Sequence, residues 1–285
     1  MAYHSNGPGW LLLHGDFRDT CAHAQGLVDL VACSPPYCDA RTYGRDTSWT
    51  DADYARLGDA VWLALKPGGH ARINVDAPVR AWRPGVGTER GFHPWRMMLD
   101  WGERIGFRVP DRLFFGRQGN VGEYKGRFRN DVEPLLWFQK PGTLGFFDKM
   151  PLTETAAYQR NVGVASQAGR EANGEIQRIR GYSGDAANNQ TKRRGTLWNY
   201  GAQGKGHTGA PDIEAADHPA RWPFRLAADI VRCFCPPGGL VLDPFVGAGT
   251  TVAAALAHGR TAIGGDFDMQ WLDKAAGILR ARQGA

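Results

Sequence analysis

The tightest constraint on the fold lies in residues 240–266. Leu240-Val241-Leu242 is a short apolar strand candidate, and Asp243-Pro244-Phe245-Val246-Gly247-Ala248-Gly249-Thr250 is a glycine-bearing turn. Thr251–His258 then reads as an alanine-rich helix, and Thr261–Gly265 as a second strand ending on Asp266. Strand, turn, helix and strand in so short a stretch require a parallel pair joined by a crossover helix. Gly247 and Gly249 let the backbone take positive φ and come close to a ligand. Asp266 follows at roughly the 20-residue separation at which a carboxylate grips ribose hydroxyls in such folds. A dinucleotide site would carry a third glycine; the turn here is G-A-G-T, without one.

The N-terminal part repeats the alternation. Residues 10–14 (WLLLH) and Val28–Cys33 read as strands, the second apolar enough to be buried on both faces of a parallel sheet. A helix is expected from Asp51 to Leu65, with Tyr54, Leu57, Val61 and Leu65 on one face, ended by the turn Lys66-Pro67-Gly68-Gly69. His70–Val75 is the next strand and His93–Ile105 a second helix closed by Gly106. Phe107–Phe115 and Val132–Gln139 read as two further strands. Periodicity then disappears from Pro141 to about Asp217, and resumes with Ala227, Ile230, Val231 and Phe234 on one helical face. Met269–Arg280 is a closing helix. The expectation is one doubly wound, mostly parallel α/β sheet interrupted by an irregular insertion.

Ser34-Pro35-Pro36-Tyr37 directly follows the Val28–Cys33 strand. Two prolines stiffen the turn, and the carbonyl of Pro35 faces no competing N–H of its own residue. Ser34 Oγ and that carbonyl make two acceptors suited to a planar base with an exocyclic amino group, and Tyr37 offers a ring to stack on it. Such an amine is a poor nucleophile, because its lone pair is delocalised into the ring. A site must accept both amino hydrogens to draw the nitrogen towards tetrahedral geometry.

SPPY and DPFVGAGT, in that order, resemble the amino-methyltransferases of DNA in their permuted beta-class arrangement, where the catalytic half precedes the cofactor half. Leu65–Gly69 and Glu133–Lys140 also look like elements of that family, so the resemblance covers most of residues 10–140 and 196–281. It implies a Rossmann-like S-adenosylmethionine-dependent methyltransferase fold. Residues 1–149 would be the catalytic half, 150–217 a target-recognition insertion, and 218–285 the cofactor-binding half. Asp243, Pro244, Phe245, Gly247, Gly249 and Thr250 would hold the methionine end of S-adenosyl-L-methionine, and His218 and Pro219 would cap its carboxylate. Asp266 would take the ribose, Phe267 would pack on adenine, and Asp16 with Phe17 would complete the adenine side. An aspartate after a strand is equally a helix N-cap. Ser34, Pro35, Pro36 and Tyr37 would form the catalytic site. Serine at the first motif position goes mostly with N4-cytosine enzymes and aspartate mostly with N6-adenine enzymes.

The implied function is direct methyl transfer to cytosine N4 in DNA after the base leaves the duplex. Adenine N6 is the alternative, and a non-catalytic DNA-binding or partner subunit a second one. A cytosine-C5 enzyme would need a cysteine preceded by proline, whereas Cys235 precedes Pro236. The insertion carries Arg160, Arg170, Arg178, Arg180, Lys192, Arg193 and Arg194 with Tyr158, Tyr182 and Trp198, a composition suited to phosphates and guanine edges. Net charge of +5 and pI near 9.0 agree with a polyanionic partner. A homodimer and a cognate restriction endonuclease are further partners for such an enzyme. Five cysteines without zinc-ligand spacing, no apolar stretch of membrane length and no signal-peptide pattern give a cytoplasmic protein with reduced thiols and no metal.

Overall fold

A computed structural model describes residues 2–37, 49–84, 86–116, 125–128, 130–143, 145–155, 167–170, 176–179, 191–200 and 223–284. Of the expected site residues, His218 and Pro219 lie outside these, as do Arg160, Arg180, Tyr158 and Tyr182 of the insertion. The chain divides into two compact units, Met1–Asp148 with Thr196–Ala285, and Lys149–Gly195.

The first unit opens with β1 (Ala2–Gly7), β2 (Trp10–His14), α1 (Phe17–His23) and β3 (Val28–Cys33). Next come α2 (Asp51–Ala64), β4 (Leu65–Asn74) and a hairpin of β5 (Val79–Arg83) with β6 (Gly87–Arg90). Helix α3 (His93–Leu99) runs on as one widened turn, Asp100–Ile105, into β7 (Arg112–Gly116) and β8 (Val132–Gln139). The described residues of the second unit form two antiparallel ladders. In one, β9 (Thr153–Thr155) pairs with β12 (Thr191–Arg193); in the other, β10 (Gln167–Arg170) pairs with β11 (Ile176–Ile179). The first unit resumes with β13 (Leu197–Asn199), α4 (Phe224–Phe234), β14 (Leu240–Asp243), α5 (Thr250–Ala257), β15 (Thr261–Asp266) and α6 (Met269–Gly284).

Among the described residues, one sheet carries nine strands in the order β1-β2-β15-β14-β3-β4-β8-β7-β13, of which only β1 and β8 run against the others. From β14 the chain crosses through α5 to β15 on one side; from β3 it crosses through α2 to β4 on the other. Crossovers of one hand but opposite direction put their helices on opposite faces and open a crevice at the strands' carboxyl ends. That switch point lies between β14 and β3, which pair through Val241↔Leu30 and Leu242↔Val31. Helix α1 packs on α2 and α2 on α3, while α4 packs on α5.

Alternation along β4 sorts the two faces. Ala71, Ile73 and Val75 join Val31, Cys33, Tyr54, Leu57, Val61, Trp101 and Phe138 in a buried cluster. His70, Arg72 and Asn74 take the other face and are also buried. Arg72 is fully buried, its guanidinium carbon 4.6 Å from the Phe234 ring centroid and 5.4 Å from that of Trp137. Its Nη2 donates to Leu135 O at 3.4 Å while Nε and Nη1 have no hydrogen-bond partner, so aromatic faces supply most of its solvation.

Several expectations need adjusting. The segment Lys66–Gly69 ends α2 as a bulge within β4 rather than as a separate turn, because Gly68 sits at φ +85° and donates to Lys140 O at 2.9 Å. Of the strand expected at Phe107–Phe115, only the part from Arg112 onward is strand; before it, Arg108 makes one isolated bridge to Gln139. Strand β1, the β5–β6 hairpin, the strands of the insertion and β13, which pairs with β7, carry too few apolar residues to announce themselves. The described cysteines, Cys21, Cys33, Cys233 and Cys235, are buried and free. No described helix is long and apolar enough to cross a membrane.

The N-terminal edge of the sheet is closed by α6. Arg280 Nη2 donates to Ser5 Oγ at 2.5 Å, Trp10 Nε1 to Gln283 Oε1 at 2.9 Å, and Gln283 Nε2 to Pro8 O at 2.7 Å. At the centre, the Asp29 carboxylate joins three strands: it accepts from Lys66 Nζ at 2.9 Å and from the Leu240 N–H at 2.8 Å. Replacing Asp29 with Ala should lower unfolding stability by about 2 kcal/mol in urea titration, since a part-buried strand-end N–H loses a charged acceptor. Asp29→Asn should cost less than half as much, because it keeps an acceptor for Leu240 and loses only a half-exposed ion pair.

Candidate active site

Two turns converge at the switch point. Where β14 ends, Asp243 Oδ1 accepts from the Phe245 N–H at 3.0 Å, a side-chain turn that bends the chain sharply out of the sheet. Val246 N–H then donates to Gly265 O at 2.8 Å, docking the turn on β15. Gly247 (φ +47°) and Gly249 (φ +84°) take the left-handed conformations that admit glycine at little cost. Gly249 also has Ala275 of α6 at its back: a Cβ there would stand 3.2 Å from the Ala275 Cβ. Thr250 opens α5 and is buried. Asp266 closes the turn from the next strand, its Oδ2 accepting from Gly247 N–H at 2.9 Å and its Oδ1 from Asp268 N–H at 3.0 Å. Phe267, beside it, is 44% exposed, unusually so for a phenylalanine flanking a buried turn.

Strand β2 ends at the same level, where Gly15 N–H donates to Asp266 O at 3.0 Å. Asp16 caps α1, accepting from Arg18 N–H at 2.9 Å and from the Arg18 guanidinium, which holds its carboxyl below the usual range against the opposing effect of burial. Phe17 meets Phe245 at 5.6 Å and Trp49 at 5.5 Å between ring centroids, and Trp49 meets Phe245 at 5.3 Å. This aromatic cluster bridges the start of α1 and the glycine turn.

On the neighbouring strand end, Ser34 is half-buried and Pro35 buried. Pro36 O accepts from Tyr54 Oη at 3.0 Å, so α2 holds the turn in place. Tyr37 points inward. It is 6% exposed, and its hydroxyl lies 3.3 Å from both Asn74 Oδ1 and Glu133 Oε2 and 3.5 Å from Ser34 Oγ. Stacking of a base on Tyr37 would require a ring face that is covered here.

Ser34–Tyr37, Asp243–Thr250, Asp266–Phe267 and Asp16–Phe17 thus gather around the carboxyl ends of four adjacent strands. Sequence reasoning overlooked Trp49, Asn74 and Glu133. For Asn74 a signal exists: the alternation His70-Ala71-Arg72-Ile73-Asn74 places its polar members on one face. Glu133, a carboxylate at the mouth of an otherwise apolar strand, is another.

Comparison with known proteins agrees with this geometry. A family model described as DNA methylase, of N6/N4 methyltransferase type, matches residues 28–276. The type II methyltransferase M.ScaI of Streptomyces caespitosus is 25% identical over 279 residues, 95% of this chain and 81% of its own. The orphan methyltransferase M.BamHII of Bacillus amyloliquefaciens is 26% identical, with 87% of each chain covered. Among solved structures, the cytosine-N4-specific PvuII DNA methyltransferase superposes with a TM-score of 0.64 at 17% identity, over 97% of this chain and 87% of that one. A Thermus thermophilus protein, assigned provisionally as a DNA modification methylase and solved with S-adenosyl-L-methionine, gives 0.61 at 23% identity over 96% and 95%. At such identities these superpositions establish the fold.

Charge at the glycine turn is poised. Asp243 is pushed up to about 7, first by burial and further by Asp266, while bonds from Thr251 and Phe245 pull the other way. Asp266 is raised too, again chiefly by burial. Among the described residues no ion pair reaches either carboxylate. Asp243 therefore holds its proton in the folded chain through the window from about 4 to 7 in which the unfolded chain releases it, so stability falls as pH rises across that window. Asp243→Asn should remove the fall: urea titration should find it more stable than the parent by on the order of 2–4 kcal/mol at pH 8 and no more stable at pH 4.

Proposed function

We propose that this chain, which belongs to the DNA methylase family, transfers a methyl group from S-adenosyl-L-methionine to the exocyclic N4 of cytosine in DNA. The observation that carries this reading is the adjacency of β3 and β14, which brings SPPY and DPFVGAGT side by side at the sheet's switch point although more than two hundred residues separate them. The order of the two motifs along the chain supports the permuted arrangement in which the catalytic half comes first.

The residues present fit the cofactor. Two buried acids without a cationic partner among the described residues form a site that a ligand bearing sulfonium and ammonium charges completes. In this reading Asp243, Gly247, Gly249 and Thr250 hold its methionine end, Asp266 its ribose, and Phe267 its adenine, with Asp16 and Phe17 beyond. His218 and Pro219 would cap the carboxylate. The cofactor supplies an electrophilic methyl group.

The chain's own work is to bind and shape the amine. Ser34 Oγ and the Pro35 carbonyl accept the two amino hydrogens, which localises the nitrogen lone pair for in-line attack. Pro36, held by Tyr54, keeps those acceptors in register. Extruding the base costs a few kcal/mol, recovered through these contacts. Serine at the head of the motif favours cytosine over adenine. The Lys149–Gly195 unit, which overlaps the 150–217 insertion, is where target recognition is assigned, in keeping with its excess of basic residues.

Ser34→Ala should slow turnover by roughly 10²-fold or more while leaving cofactor binding intact, as expected for loss of one preorganised partner of the reacting group. Asp243→Ala should abolish measurable cofactor binding in calorimetry. Nucleoside mass spectrometry on unmodified genomic DNA incubated with the protein and labelled S-adenosylmethionine tests the whole reading. Labelled N4-methylcytosine supports it. Labelled N6-methyladenine keeps the mechanism and changes the base, and absence of label from a protein that binds cofactor points to a non-catalytic partner subunit.

A further inference from the structure

We propose that Glu133 is the inner proton acceptor of a hydroxyl relay that begins at Ser34 and passes through Tyr37. The proposal rests on the methyl-transfer reading above and concerns how the reaction loses its proton. Ser34 Oγ donates towards Tyr37 Oη at 3.5 Å, and Tyr37 Oη towards Glu133 Oε2 at 3.3 Å. Both steps are long for hydroxyl hydrogen bonds, as relays commonly are before substrate binds. Ser34 is the half-buried end, whereas Tyr37 and Glu133 are 6% and 4% exposed, so the line runs from the crevice into the core. Asn74 Nδ2 donates to Pro134 O at 3.0 Å, which turns its Oδ1 towards the tyrosine hydroxyl. Tyr37 thus has one proton and two acceptors at 3.3 Å, and the relay runs in the orientation that aims it at Glu133.

The chemistry calls for such an exit. The amino nitrogen commits its lone pair to the new N–C bond, leaves the methyl–sulfur pair with sulfur, and becomes cationic. It must then shed one proton. A neutral serine hydroxyl can take that proton only by giving up its own. Here Ser34 Oγ accepts from the nitrogen while passing its proton to Tyr37 Oη, which passes its proton to the Glu133 carboxylate. The products are a neutral methylamino base, a neutral thioether and a protonated Glu133, which later returns its proton to water.

Single-turnover methylation of unmodified genomic DNA, with cofactor affinity measured by calorimetry on the same samples, tests the relay. Glu133→Gln and Tyr37→Phe should each slow transfer about 10²-fold, the contribution typical of acid–base catalysis, with the dissociation constant for S-adenosylmethionine changed less than about twofold. The double variant should be no slower than the slower single one, since both cut the same line. Glu133→Asp, which keeps a carboxylate, should recover at least about tenfold over Glu133→Gln. The relay is overturned if Glu133→Gln stays within about threefold of the parent, if it loses rate and cofactor affinity together, or if Glu133→Asp is as slow as Glu133→Gln. Failure of the parent to label any base would instead count against DNA methylation itself, and the relay would fall with it.

Discussion

The architecture depends on a carboxylate at the wrong end of the sheet from the chemistry. Asp29 stands near the start of β3, accepting from Lys66 on β4 and from the backbone of Leu240 on β14. Parallel strands brought together across some two hundred residues have no turn to set their register, so it must come from side-chain pattern or from a specific polar contact. The β14–β3 ladder is only two residue pairs long. Asp29 adds polar specification to that short ladder, and the two motif turns lie at the far ends of the strands it joins. A slip of one residue would carry Asp243 to the opposite face and separate the glycine turn from the SPPY turn.

Much of this was legible in the residues. Strands buried on both faces, such as Val28–Cys33, betray themselves as unbroken apolar runs, and the glycine turn betrays itself by what flanks it. What escaped detection is instructive. Strand β1 and the β5–β6 hairpin, at the margins, are held by backbone pairing and long-range polar contacts rather than by periodic apolar residues. The bulge at Pro67-Gly68 looks like an ordinary helix stop because the backbone pairing that continues the strand comes from Lys140, seventy residues away. In the same way, Tyr37 reads as a surface ring for stacking, and its inward orientation depends on Asn74 and Glu133, which no local pattern connects to it.

Buried charge is managed differently in the two layers. Near the switch point, Asp243 and Asp266 are kept close and without a cation among the described residues, an arrangement that is costly for the free protein and favourable for a positively charged ligand. Across the sheet, Arg72 is also deeply buried, with aromatic rings in place of counter-ions; burial pulls its guanidinium down to about 9. That cluster draws Phe234 from α4, Trp137 from β8 and Trp198 from β13, and so joins α4 to the outer strands of the sheet. One buried charge is left without a counter-ion among the described residues, while the other is wrapped in aromatic rings.

The clasp between α6 and β1 guards an edge. Strand β1 pairs with β2 on one side, and an outermost strand offers its other row of N–H and C=O groups to any second strand that arrives. Arg280 and Gln283 of α6 reach Ser5 and Pro8 at that margin. A guanidinium and an amide are thereby anchored where an incoming strand would have to lie, so the contacts that fasten the closing helix also make the open margin a poor template for edge-to-edge association.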